Sequence, residues 1–153
     1  MPERTSMSVE ARDAFLAEVH VAVLAIDEPG RGPLALPVWY QYVDGCIELG
    51  MDGESRKAQL LRAAGRATVT VQDENPPYRY VSVEGPIEFR AGDRDLLGTA
   101  VRYLGPEIGA WYAKENPTSP TSVVIRLAPE HWRTQDFSAR EDIQDMLPPA
   151  KAD

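Results

Sequence analysis

At 153 residues, 43% hydrophobic and 26% charged, the chain suits one domain with a real core, and no apolar run approaches the ~20 residues of a membrane span. A net charge of −8 excludes a general nucleic-acid footprint; one cysteine, Cys46, and two distant histidines, His20 and His131, exclude an internal disulfide and a zinc site built on several thiolates. The start, Met1-Pro2-Glu3-Arg4-Thr5, lacks a signal peptide's apolar stretch, so the expected location is the cytoplasm.

Ser8 is a suitable N-cap, with Glu10 in the first turn of a helix whose apolar side is Phe15, Leu16 and Val19. The period then changes. Residues 21–26 form a continuous apolar run of strand length, ended by the turn signal Glu28-Pro29-Gly30. Residues 34–43 hold the strand formers Val38, Trp39, Tyr40 and Tyr42, and Asp44-Gly45 suits a hairpin turn into a strand over 46–51. Residues 21–51 thus predict a three-stranded antiparallel meander. The next segment, 55–64, predicts a helix packed through Ala58, Leu60, Leu61 and Ala64, with Gly65 at its C-terminal cap. Residues 67–72 alternate Val69 and Val71 against Thr68, Thr70 and Gln72, as a strand does. After the loop at 73–77 comes a long strand, 78–90, in which Gly85-Pro86 marks a bulge or bend. Residues 93–104 predict a helix with Leu96, Leu97, Val101 and Leu104 on one face. Gly105-Pro106 breaks it and opens a second piece carrying Ile108, Trp111 and Tyr112. Strands follow at 122–127 and 132–137. From Ser138 the chain turns polar, with Pro148-Pro149, and reads as a loose tail, which leaves 8–137 as the domain. Short antiparallel strands with few connecting helices predict a mainly β fold with flanking helices, an antiparallel barrel of six or seven strands.

The chemistry-bearing segment is Gly53-Glu54-Ser55-Arg56-Lys57, where a loop leads from a strand into a helix capped by Ser55. A helix N-terminus carries about half a positive charge, so a cation in the first turn costs roughly 0.3–1 kcal/mol. Arg56 and Lys57 both stand there. An anion would remove the conflict, because free backbone N–H groups, the Ser55 hydroxyl, a guanidinium and an ammonium together suit a phosphate. The plain alternative is a pair of hydrated cations whose cost is screened. Arg62, Arg66 and Arg79 are candidates for added positive potential.

Three segments in this order resemble the flavin-binding split-barrel superfamily, which includes pyridoxamine 5′-phosphate oxidases and flavin/deazaflavin oxidoreductases. They are Leu36-Pro37-Val38-Trp39-Tyr40, then Ser55-Arg56-Lys57-Ala58 with Leu61 and Ala67-Thr68-Val69-Thr70-Val71, then residues 76–85. The likeness spans about residues 10–135. It implies that Ser55, Arg56 and Lys57 hold a cofactor phosphate and that Pro37, Val38, Trp39 and Tyr40 run beside its tricyclic ring. It also implies a homodimer with the cofactor at the interface, to which Trp132 of a partner's C-terminal strand contributes. FMN is the first expectation and the deazaflavin coenzyme F-420 the alternative. The implied activity is hydride transfer to or from a small organic substrate; the alternative is a non-catalytic flavin or haem carrier of the same fold. This chain has Gly50 and Met51 where many relatives carry hydroxyl residues before the phosphate loop, and Leu60 where many carry Asn or Gln.

Trp39, Tyr40 and Tyr42 otherwise read as a barrel core with one wet face. Trp111 and Tyr112 suit packing onto the barrel, a dimer contact or a lid. Cys46 has no histidine or carboxylate paired with it in sequence and reads as a small strand residue. No G-x-S-x-G, H-E-x-x-H, Walker loop or G-x-G-x-x-G is present, so hydrolase, zinc-protease and Rossmann chemistry lack support.

Overall fold

The computed structural model describes residues 5–92, 95–140, 142, 146 and 147. In chain order its elements are α1 (Val9–Ala17), β1 (Ala22–Ile26), β2 (Leu34–Val38), β3 (Gln41–Val43), β4 (Cys46–Asp52) and α2 (Arg56–Ala64). There follow β5 (Arg66–Asp73), β6 (Arg79–Ala91), α3 (Leu96–Leu104), α4 (Pro106–Glu115), β7 (Ser122–Leu127) and β8 (His131–Asp136). The strands join in the order β2-β1-β5-β6-β7-β4-β3, with β8 also on β6, and every pairing is antiparallel.

Strand β6 holds the two halves together. Residues 79–86 pair with β5 and residues 79–84 with β8, whereas residues 87–91 pair with β7. The change of partner falls at Gly85-Pro86, where the sequence predicts a bend. A Cβ on Gly85 would lie 1.8 Å from the Ala128 carbonyl oxygen, so only glycine lets the β7–β8 connection close over this corner.

The opposite side of the barrel is open, which makes it a split barrel. The single strand expected over 34–43 is two strands: β2 pairs with β1, and β3 pairs with β4. The expected meander is therefore divided between the halves, and the strand count rises to eight. The division falls at Trp39-Tyr40. There a side chain stands in for ladder bonds: the Tyr40 backbone N–H donates to the Tyr103 hydroxyl at 3.2 Å, and that hydroxyl donates to the His20 carbonyl at 2.6 Å.

The core lies between the curled sheet and the two helices α1 and α2. Phe15, Leu16, Leu24, Ile26, Ile47, Leu61, Val69, Val81 and Ile125 are all nearly inaccessible. Val19, expected on the apolar side of the first helix, lies beyond its end and is 50% exposed. The helix expected over 93–104 is described from Leu96 and capped by Asp95; Asp93 and Arg94 lie outside the described residues. Its inward face is also shifted: Thr99 and Ala100 are buried, while Leu97 is exposed. The cause is tight packing on α4, where a Cβ on Gly109 would meet the Val101 backbone nitrogen at 2.5 Å. Most of the predicted tail, Pro148-Pro149 included, lies outside the described residues.

Candidate functional site

The loop between β4 and α2 is built by hydrogen bonds that leave it little freedom. Gly53 N–H donates to the Thr121 carbonyl at 2.8 Å, and a Cβ on Gly53 would meet that oxygen at 2.7 Å. Arg62 reaches back from the helix and donates to the Gly53 carbonyl at 2.5 Å. The Asp52 carboxylate accepts from the Glu54 N–H at 3.0 Å and the Thr121 hydroxyl at 2.7 Å. Those bonds, the Glu54 N–H foremost, hold its carboxyl below the usual carboxylate range.

Ser55 is the N-cap, as its sequence position predicts. Its hydroxyl accepts from Ala58 N–H at 3.2 Å and donates to the Asp52 carbonyl at 2.6 Å. The Arg56 and Lys57 N–H groups are left without a partner among the described residues. No acidic residue stands in the first turn of α2.

Lys57 lines a groove of about 290 Å³ together with Val21, Pro37, Val38, Trp39, Gly50 and Tyr112. The structure thus brings together four residues singled out from sequence, Pro37, Val38, Trp39 and Lys57. One wall is aromatic. Trp39 stacks on Tyr103 with ring centres 4.9 Å apart and planes 5° apart, and Tyr112 tilts against it at 5.3 Å. The α3–α4 pair thereby fixes the Trp39 ring, so Tyr112 serves as packing and as part of the groove at once. A second cleft, about 440 Å³, adjoins through Gly50 and Tyr112 and runs along Asp52 and Asn116–Ser119.

The remaining sequence candidates stand elsewhere. Arg56 pairs with Glu28 at 3.2 Å rather than facing the groove. Tyr40, expected beside a ring, is 1% exposed; its hydroxyl donates to the Leu16 carbonyl at 2.8 Å, so it supports Trp39 from the core. Burial pushes its phenol well above the usual tyrosine range. Tyr42 is tied to Asp13 at 2.8 Å, and burial, then that bond, push its phenol up to about 12. Trp132 packs on the core with the Arg12 guanidinium 3.7 Å from its ring centre, and it borders a different cleft, with Thr68, Ser82, Glu84 and His131. Of the three additional arginines only Arg62 touches the loop. Arg66 pairs with Glu130, and Arg79 pairs with Glu18 and Asp73. Cys46 is a free, partly buried thiol at the start of β4, in hydrogen-bond contact with Arg126. Among the described residues no group of three or more His, Cys, Asp or Glu side chains is placed to hold a metal ion.

Sequence reasoning missed Glu28, Tyr103 and Thr121 as parts of the site. Each acts across a long loop in sequence, and no local pattern marks it.

A split barrel with a capped, cation-bearing helix start opening beside an aromatic-walled groove defines a class of small cofactor-binding domains. The sequence matches the pyridoxamine 5′-phosphate oxidase family over residues 8–136, and the chain belongs to that family. No curated protein matches the sequence. Among solved structures, the conserved hypothetical protein Rv2991 of Mycobacterium tuberculosis is similar at TM-score 0.72 and 24% identity, covering 100% of this chain and 98% of that one. A FAD-binding protein of Mesorhizobium loti is similar at TM-score 0.62 and 22% identity, over 89% of this chain and 99% of that one. An F-420 reductase is similar at TM-score 0.58 and 20% identity, over 79% and 94%. At these identities the likeness shows the shared fold.

Proposed function

We propose that the chain is a flavin- or deazaflavin-dependent oxidoreductase that works as a homodimer, with FMN or coenzyme F-420 as its cofactor. One observation carries this reading: Lys57, in the first turn of a helix whose leading N–H groups are free, lines the same groove as Pro37, Val38 and Trp39. The residues present fit such a group. Gly50 lines the groove without a side chain to fill it, and the flat Trp39 face suits a planar ring.

When bound, the ring supplies hydride transfer. The chain's own part is binding, orientation and exclusion of water. Lys57 and the N–H groups at the start of α2 hold the phosphate, Arg56 adds charge, and Ser55 keeps the turn closed. Pro37, Val38 and Trp39 border the ring, with Tyr40 behind them. Val21, Val23 and Pro37 present an exposed apolar edge on the outer sheet face, which a second copy would cover, bringing the partner's β8 and Trp132 toward the cofactor. The expected setting is the cytoplasm; no described helix is long and apolar enough to cross a membrane.

Anaerobic mixing of protein loaded with reduced FMN or F-420 with organic acceptors tests the proposal. Multiple-turnover oxidation supports an oxidoreductase. Tight binding with no acceptor-dependent oxidation would favour the carrier reading.

A further inference from the structure

We infer that Glu28 sets the charge of the phosphate site, so that the site takes a singly charged phosphodiester in preference to a doubly charged phosphomonoester. This rests on the reading of the groove as a flavin-phosphate site and narrows the ligand within it.

Glu28 lies on the β1–β2 connection, where Arg31 N–H donates to its carbonyl at 3.0 Å. Its side chain is only 15% exposed and meets the Arg56 guanidinium at 3.2 Å, whereas Arg56 is 65% exposed. The carboxylate is the better-held partner, and the arginine comes to it. Asp52 and Glu54 add two more negative charges at the root of the same loop. Glu28 thus neutralises Arg56, Arg62 is turned to the Gly53 carbonyl, and Lys57 is the one charged side chain among the described residues that line the groove.

A groove lined by one cation, with the neighbouring arginine held by a carboxylate, has no counter-charge for a second ligand charge. A phosphomonoester carries roughly −1.5 to −2 at pH 7, by analogy with phosphorylated side chains. A diester carries one charge, which Lys57 and the free N–H groups of Arg56 and Lys57 can meet by hydrogen bonding. Desolvating the additional charge of the monoester is unfavourable without a partner.

The second cleft points the same way. A monoester ends at its phosphate, whereas a diester continues beyond it. The adjoining space along Asp52 and Asn116–Ser119, with Ser119, Thr118 and Ser122 at its wall, provides a polar path for that continuation.

The test uses one ring with three termini: riboflavin, FMN and the FMN monomethyl ester. Each is titrated at pH 8 into the wild-type protein, Glu28→Gln and Glu28→Ala. The wild type is expected to bind the methyl ester more tightly than FMN. Coulomb energy scales with ligand charge, so a gain of about threefold for the ester on Glu28→Gln implies about ninefold for FMN. Glu28→Ala is expected to show the same ratio. Equal changes for both ligands, or a wild-type preference for FMN, would overturn the role of Glu28 while leaving the phosphate site standing. If neither phosphorylated ligand binds better than riboflavin, the phosphate reading fails and this one with it.

Discussion

Tyr103→Phe isolates the device that closes the gap between the two half-barrels. The substitution keeps the ring, and with it the stack on Trp39 at 4.9 Å, but removes the hydroxyl. That hydroxyl accepts from Tyr40 N–H at 3.2 Å and donates to the His20 carbonyl at 2.6 Å. Its loss leaves one backbone donor and one acceptor without these partners. A buried polar group left unsatisfied costs about 1–3 kcal/mol, and partial water access at this half-buried position places the expected loss at about 1–2 kcal/mol. For a domain of this size that is a fall in melting temperature of roughly 2–8 °C. Urea unfolding followed by tryptophan fluorescence and far-UV circular dichroism measures it, with the midpoint falling and the slope unchanged. A loss below about 0.5 kcal/mol, the scatter of ordinary surface substitutions, would refute the bridging role.

Ser55→Ala removes the cap that accepts from Ala58 N–H and is expected to cost about 0.5–2 kcal/mol in the same urea assay. Arg79 gives a pH dependence. Burial alone would raise the carboxyls of Asp73 and Glu18, but hydrogen bonds from Arg79 hold both below their ordinary values. Groups depressed in the folded state stabilise it above their unfolded values and lose that contribution as pH falls through the folded ones. Urea midpoints should therefore decline below about pH 4, and Arg79→Gln should be less stable at pH 6 and flatter between pH 6 and 3. Val23→Glu places a charge on the exposed sheet face, where Val23 is 42% exposed, and should convert a dimer to a monomer in sedimentation velocity. An unchanged dimer would move the interface elsewhere.

Residues whose local chemistry and tertiary surroundings agree were legible in advance. Ser8 and Ser55 cap helices, Gly65 ends α2 in the left-handed region at φ 70°, and Gly85-Pro86 turns the corner of β6. Trp39 and Tyr40 were not, because both are strand formers and nothing local reveals that their backbone leaves the ladder. The Tyr103 hydroxyl that permits this comes from a helix 63 residues further along the chain than Tyr40. The inward face of α3 was misplaced for a related reason: close approach to Gly109 buries small residues instead of the leucine stripe. At the site, Lys57 was singled out by its place at a helix start and Pro37, Val38 and Trp39 by the family resemblance, and the four line one groove. The engagement of Arg56 by Glu28 was not legible, since the two are 28 residues apart and meet only through the fold.

The most direct test of the site is a fluorescence titration of the wild type and the Arg56→Ala/Lys57→Ala variant with FMN and with F-420. Charge-assisted hydrogen bonds contribute about 1.5–3 kcal/mol each, so the variant should bind whichever cofactor the wild type takes at least about tenfold more weakly. Equal affinity in the two proteins would contradict a phosphate held at the start of α2.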